Sequence, residues 1–398
     1  MKRAAVLSLA ALLLASCAAP PPANTAGSSQ SLPASAGLPW LDAQFNYDPA
    51  LVKVSQRDLF ILDADLERRL SEPAVRAVPL GLKLKRVIDT IFDKDRKGFT
   101  YRAGHSTAAA ETWRDRSGDC LSLTVLTYAV ARTLGMSPVM QEVQTPAVFG
   151  RSGELDVVNQ HVNVLFPHIR GDLMAESQDH EVVLDFEPDF AAPRRGIPLD
   201  EAGIAARYYN NIGVENIAAG NYAVAYAYFK AAVRAEPEYV SPYGNLAVLY
   251  RRAGHEAEAE KFLRYAISLD GNTDVAMHEL HRFLKDHGRV AEAAEVEHKL
   301  EAHQQKDPYH WIGLALLDME KKDFSRAVDK LERANEIAPT FVEVHRYLAV
   351  AYARVGNPQK AREELDVLAH VGGSFDKVAF LRRKLDKLDR METTPQQQ

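Results

Sequence analysis

The chain has 398 residues, 26% of them charged, and a formal net charge of −6 at pH 7. Its basic residues are dispersed along the sequence, which excludes a nucleic-acid-binding class. Only two cysteines occur, Cys17 and Cys120.

Met1-Lys2-Arg3 is basic, and the apolar run Ala4 to Leu14 is too short to cross a bilayer as a stable helix. That is the pattern of a secretory signal. No other segment is long and apolar enough to span a membrane. The run ends in Leu14-Ala15-Ser16-Cys17, which resembles the bacterial lipobox of an aliphatic residue, two small residues and cysteine. The resemblance implies that residues 1–16 are a lipoprotein signal peptide, cleaved before a Cys17 whose sulfur carries diacylglycerol. At about 0.8 kcal/mol per buried methylene, two or three acyl chains make a lasting anchor. Ala18 in place of aspartate implies, by the sorting rule of such lipoproteins, the periplasmic face of the outer membrane. With Cys17 consumed by lipid no intramolecular disulfide is possible. Cys120 is then an unpaired thiol in an oxidising compartment, a liability unless it is buried or used.

Residues 17–44 read as a flexible tether from the lipidated cysteine, rich in Ala, Pro, Ser and Gly to about residue 40. A globular pattern spans 45–200. Ser55 with Asp58 forms a variant capping box for a helix carrying Leu59, Leu62, Leu66 and Leu70. Leu80, Leu84, Val87, Ile88, Ile91 and Phe92 fall at helical spacing and predict a second amphipathic helix. Asp93 to Gly98 begins like a calcium loop, but Lys97 and Gly104 stand where oxygen ligands are needed, so calcium is rejected. A third helix runs from Gly118-Asp119 to Gly135, with Asp119 suited to the N-cap and Gly135 to the C-terminal turn. The period then changes: Val139 to Val143, Leu155 to Leu165 and Glu181 to Phe186 read as strands. Helices followed by strands predict an α+β domain with an antiparallel sheet. At roughly 150 residues it can hold a real core.

Cys120 lies in the first turn of the third helix. There it faces backbone N–H groups and the positive end of the helix dipole, and both favour a thiolate. Its own N–H is placed to stabilise an oxyanion. The base is His161, on a strand where alternate residues project one way, with His168 and His180 as competitors. Asp185 ends a later strand and is suited to hold the second imidazole nitrogen, with Asp179 and Asp189 close by. Trp113 or Gln160 is a candidate for a further oxyanion donor.

Thr107-Ala108-Ala109-Ala110-Glu111, then Gly118-Asp119-Cys120, then Ala131-Arg132-Thr133-Leu134-Gly135 resemble the transglutaminase-like (papain-related) core over roughly residues 75 to 190. The resemblance implies an α+β fold in which a helix-borne cysteine is followed by His and Asp on successive strands. It makes Cys120 the nucleophile, His161 the base and Asp185 the orienting acid, and implies neither metal nor cofactor. The family often has an aromatic residue two places after the histidine, where this chain has Asn163. The segment between Cys120 and His161 is also short.

The C-terminal half repeats. Ala225, Ala259, Ala293, Ala327 and Ala361 recur every 34 residues, and Gly254, Gly288 and Gly356 keep one register with Lys322 in the missing slot. Tyr209, Tyr243 and Trp311 share a large-residue position, with Tyr250 and Tyr352 further along the first helix. This resembles the tetratricopeptide repeat, whose helix-turn-helix units need small residues where paired helices touch. Five units, starting near Ala206, Val240, Asp274, Pro308 and Val342, predict an all-α solenoid over 206–373, the third being the most degenerate. An amphipathic helix at 374–391 would cap it, ahead of a disordered tail at 392–398. The family pattern puts Asn210, Arg251, His278, Arg282 and Arg346 on the concave groove. Such a lining suits a carboxylate or acidic peptide.

Two readings follow. One is an outer-membrane-anchored periplasmic thiol hydrolase or acyl transferase whose repeats bind a protein or peptide. The other is a non-catalytic scaffold lipoprotein for envelope assembly, its first domain an inactive shape.

Overall fold

The computed structural model describes residues 37–92, 99–143, 149–152, 155–158, 161–169, 180–186, 196–270 and 273–370. The expected signal peptide, Cys17, most of the expected tether, the calcium-like sequence, the expected capping helix and the expected tail lie outside them. Among the described residues no helix is long and apolar enough to cross a membrane.

After a 3-10 turn at Pro49–Leu51 come α1 (Gln56–Leu59) and α2 (Ala64–Leu70). Ser55 caps α1 by accepting the Asp58 N–H at 3.2 Å. The leucine series expected on one helix is divided between these two. Asp63 caps a fresh start by accepting the Asp65 N–H at 3.0 Å, which competes with continuing the first helix. Leu59, Leu62, Leu66 and Leu70 all remain buried. Beyond α3 (Pro73–Arg76), α4 (Leu80–Phe92) takes the expected amphipathic form, burying Leu84, Val87 and Ile91. A short parallel pair, β1 (Thr100–Tyr101) and β2 (Ser117–Gly118), brackets α5 (Ala109–Asp115). Then comes α6 (Cys120–Thr133), closed by Gly135 at φ +73°.

The strands are β3 (Val139–Val143), β4 (Phe149–Ser152), β5 (Leu155–Val158), β6 (His161–Ile169), β7 (His180–Leu184) and β8 (Ile197–Leu199). Four of them form an antiparallel sheet in the order β7-β6-β3-β8. The run from Leu155 to Leu165, expected as one strand, divides: β5 pairs with β4 in a separate hairpin while β6 enters the main sheet. Helix α6 packs on β6, and its Val125, Leu126 and Val130 share one core with Val162, Val164 and Phe166.

Among the described residues ten helices follow in five antiparallel pairs: α7 (Glu201–Ala218) with α8 (Tyr222–Ala235), α9 (Ser241–Arg252) with α10 (Glu256–Leu269), α11 (Asp274–Asp286) with α12 (Val290–Gln304), α13 (Pro308–Glu320) with α14 (Phe324–Ile337), and α15 (Val342–Arg354) with α16 (Pro358–His370). The periodic alanines sit on every second helix and none is more than 2% exposed, so each lies where a larger side chain would force the pair apart. Gly254, Gly288 and Gly356 turn between paired helices at φ +82°, +68° and +80°, and Lys322 takes the same conformation at +64°.

The first pair is fused to the domain before it. Ile204, Tyr208 and Tyr209 of α7 and Tyr228 of α8 belong to the same apolar core as α4, α6 and β6. Arg207, 8% exposed, ties α7 to β3 through Glu142 at 2.7 Å. The expected tether is also seated at its end. The Tyr250 hydroxyl donates to the Pro39 carbonyl at 2.8 Å and accepts the Leu41 N–H at 3.1 Å. Asp42 accepts from Lys230 at 2.6 Å and from Tyr226 at 2.7 Å, and Phe45 stacks on Tyr226 with ring centroids 4.6 Å apart. Aromatic rings around a paired carboxylate give this stretch what a Pro- and Ser-rich linker lacks, a surface to bury.

Candidate functional site

Asp119 is the N-cap of α6, and its Oδ1 accepts the Ser122 N–H at 2.8 Å. This capping bond fixes the first turn and with it Cys120, which is 6% exposed. One turn further along α6, Thr124 Oγ1 donates to the Val162 carbonyl at 3.3 Å. Cys120 thus stands one helical turn from a residue bonded to the neighbour of His161.

His161 opens β6 opposite Val143 of β3 and is 1% exposed. Its Nε2 lies 2.7 Å from Oδ1 of Asp185, which follows β7. The structure therefore joins two residues that the sequence places 24 positions apart. Asp185 Oδ2 accepts from Asn163 Nδ2 at 3.1 Å. Asn163 Oδ1 accepts from Gln141 Nε2 at 2.8 Å, and Gln141 Oε1 accepts the Gly196 N–H at 3.0 Å. A row of amides thus crosses the sheet and holds the carboxylate in place, each oxygen having a donor and each donor an acceptor. Asn163, a departure from the aromatic of the resembled family, is the second partner of Asp185. Gln141 was not a candidate. The signal for Asn163 was its place two residues after His161 on one strand face; for Gln141 nothing short of the β3–β6 register gives it.

A second cluster surrounds the N-cap. Ser106 Oγ donates to Asp119 Oδ2, and Ser122 Oγ donates to Asp119 Oδ1 at 2.7 Å while accepting the Thr107 N–H at 2.8 Å. From the first repeat helix, Asn211 Nδ2 donates to Ser106 Oγ at 2.9 Å and Glu215 Oε1 accepts the Ser106 N–H at 3.2 Å. Burial pushes the Glu215 carboxyl above its ordinary range, against the Ser106 N–H and nearby His105, which favour the charge. Gly118 permits this crowding: a Cβ there would lie 2.6 Å from Ser122 Cβ.

Trp113 turns its ring to other partners, with Phe99 at a 6.2 Å centroid distance and the guanidiniums of Arg116 and Arg69 at 4.7 and 5.7 Å. Gln160 lies outside the described residues, as do Asp179, Asp189 and the side chains of His168 and His180. Among the described residues no group of three or more His, Cys, Asp or Glu side chains is disposed to hold a metal ion.

The predicted groove residues are engaged with the solenoid itself. Asn210, 7% exposed, accepts from Asn245 at 2.8 Å. Glu279, also buried, pairs with Arg251 at 3.3 Å and with Arg282 at 2.6 Å, neutralising much of the expected basic lining. His278 Nε2 lies 3.3 Å from Gln304, and the Arg346 guanidinium stacks over Tyr347 at 4.4 Å.

A family model described as tetratricopeptide repeat matches residues 216–281 and 318–382. No curated protein matches the chain. Among solved structures, pilF of Pseudomonas aeruginosa is 19% identical, covering 48% of this chain and 87% of its own with a TM-score of 0.26. MamA (41-end) from Desulfovibrio magneticus RS-1 is 19% identical over 45% of this chain and 96% of its own, with a TM-score of 0.24. The C-terminal part of this chain, with its five helix pairs and 34-residue alanine register, is a tetratricopeptide-type solenoid, an architecture for binding other proteins.

Proposed function

We propose that the chain is a thiol hydrolase or acyl transferase of transglutaminase-like type, in which Cys120 is the nucleophile, His161 the base and Asp185 the orienting acid. The repeats bind the protein or peptide on which it acts. The observation that carries this reading is the pair of buried His161 and part-buried Asp185, 2.7 Å apart, on the sheet against which the Cys120 helix packs. In this reading Nδ1 exchanges the proton with the Cys120 thiol, because Nε2 is engaged by Asp185. The sulfur then bonds to an amide or ester carbonyl carbon, with the backbone N–H of Cys120 stabilising the oxyanion. The tetrahedral adduct collapses to a thioester, and the departing amine or alcohol takes the proton from His161. Water or an amine, deprotonated by His161, releases the product and restores the thiol. Hydrolysis is the expected outcome, and lipid on Cys17 would hold the enzyme at the periplasmic face of the outer membrane.

A second reading is the scaffold lipoprotein. In its favour, the family match falls in the repeats, and Cys120 sits among apolar neighbours of the core. The two separate on the pH dependence of iodoacetamide alkylation in the full chain carrying Cys17→Ser, which leaves Cys120 as the sole thiol. A thiolate appearing well below the free-cysteine value of about 8.5, and lost with His161→Ala, is expected of the enzyme. A slow, ordinary thiol indifferent to His161 would overturn that reading and leave the scaffold.

A further inference from the structure

The repeats do more at this site than hang behind it. Helix α7 is the first helix of the solenoid, and two of its side chains, one turn apart, grip the loop between β1 and α5, which lies against the N-cap of the nucleophile helix. Asn211 Nδ2 donates to Ser106 Oγ at 2.9 Å, and Glu215 takes the backbone N–H of the same serine at 3.2 Å. With its backbone N–H held by Glu215 and its oxygen accepting from Asn211, the Ser106 hydroxyl donates its hydrogen to Asp119 Oδ2. The other oxygen of Asp119 caps α6 through Ser122. Ser106, Asp119 and Ser122 are 3%, 4% and 0% exposed, so water offers no substitute for a lost partner.

We infer that Asn211 and Glu215 are positioning residues of the thiol site: through Ser106 they fix the Asp119 carboxylate, which sets both the first turn of α6 and the charge beside Cys120. This inference rests on the thiol reading above. A carboxylate next to a thiolate opposes it, and three donated hydrogen bonds are what spread that charge. If the Ser106 hydroxyl is released, the charge is less dispersed and the N-terminal turn of α6 is less firmly oriented. Both effects disfavour the thiolate. The solenoid is then a working part of the site as well as a surface for partners.

The test uses the full chain with Cys17→Ser and follows iodoacetamide alkylation of Cys120 against pH, alongside circular dichroism. Asn211→Ala should raise the alkylation midpoint by about one pH unit, which is about a tenfold loss of reactivity near neutrality. Ser106→Ala should give the same shift, and the double variant no more, because the two act in series. Glu215→Ala should also raise the midpoint. Glu215→Gln, whose amide oxygen still accepts the Ser106 N–H, should keep it at the parent value. A purely structural role would lower the melting temperature without moving the midpoint. A low parent midpoint that Asn211→Ala, Ser106→Ala and Glu215→Ala all leave in place overturns the positioning role alone. An ordinary parent midpoint, indifferent to His161→Ala, overturns the thiol reading and this inference with it.

Discussion

Asp185 meets His161 with one carboxylate oxygen at 2.7 Å and Asn163 with the other at 3.1 Å, so the carboxylate is fixed by two different neighbours on one strand. Removing it should therefore do more than remove a charge. Asp185→Ala should slow Cys120 alkylation near neutrality at least tenfold and raise its pH midpoint, as is expected of His161→Ala. Asn163→Ala leaves the His161 bond in place but frees the carboxylate to turn, and should give a smaller shift in the same direction. Parent-like pH profiles in both variants would sink the triad assignment.

Gly118 stands where the cap network is tightest. A methyl at this position would fall 2.6 Å from Ser122 Cβ and 3.3 Å from Thr112 Cγ2, and both neighbours are wholly buried. Gly118→Ala should cost about 1–3 kcal/mol, the usual range for overpacking a dense interior. Chemical denaturation of the variant against the parent checks this, and a change below about 0.5 kcal/mol would mean that the turn has room to relax.

Much of this was legible in the residues. The alanine period gave the solenoid because small side chains are obligatory where helices touch, and Asp119 announced the start of α6 because capping is a local interaction. What failed to show was non-local. Asp63 and Ser55 are both good caps, and only packing decides that two short helices form where one leucine series runs. The run from Leu155 to Leu165 reads as one strand despite the polar Asn159-Gln160-His161 at its middle, yet its two ends serve different sheets. Trp40 and Asp42 lie in the expected tether and Phe45 just beyond it, and the tyrosine that receives them is nearly two hundred positions away. The same holds for Asn211 and Glu215, unremarkable polar residues on a repeat helix until Ser106 is brought against them.

That docked segment makes its own prediction. Lys230, only 7% exposed, bonds Asp42 and lies 4.1 Å from the Tyr47 ring centroid. Burial alone would raise the Asp42 carboxyl, but hydrogen bonds from Lys230 and Tyr226 and the Lys230 charge hold it below its ordinary value. A depressed carboxyl stabilises the fold above its unfolded value of 3.8, and that contribution is lost as pH falls through the folded value. Asp42→Asn should loosen residues 38–47 by about 1 kcal/mol, discounted because the carboxylate is half exposed. Hydrogen exchange at Leu41 should rise about fivefold at neutral pH, and parent and variant should converge in acid. Unchanged exchange would mean that the aromatic contacts alone hold the segment.

His345 carries the opposite sign. Its Nδ1 lies 2.7 Å from a Glu364 carboxylate oxygen and its Nε2 2.8 Å from the Pro339 carbonyl. Both partners only accept, so both ring nitrogens donate and the imidazole is held as the cation. Glu364 raises its affinity for the proton above the ordinary 6.5, burial opposes this, and the Pro339 carbonyl adds to the rise. A raised histidine contributes stability that is complete below the unfolded value and disappears as pH rises through the folded one. The melting temperature of the parent should therefore fall as pH climbs above 6.5. Glu364→Gln should flatten that slope, and an equal slope in both proteins would refute the pairing.

Lys322 offers the last prediction, because it occupies a glycine's place. Its φ of +64° matches Gly254, Gly288 and Gly356 at the equivalent turns, and a side chain in the left-handed region costs about 1–2 kcal/mol. Glycine removes that strain but gives the unfolded chain more freedom, which returns part of the gain. Lys322→Gly should thus stabilise the fourth helix pair by about 0.5–1 kcal/mol. The converse change, Gly288→Lys, should destabilise the third pair by a similar amount, since a Cβ there meets nothing within 4 Å and only the backbone objects. Thermal unfolding of the two variants decides it: shifts of opposite sign are expected, and a loss of stability in Lys322→Gly would show that the lysine side chain makes contacts worth more than the strain it imposes.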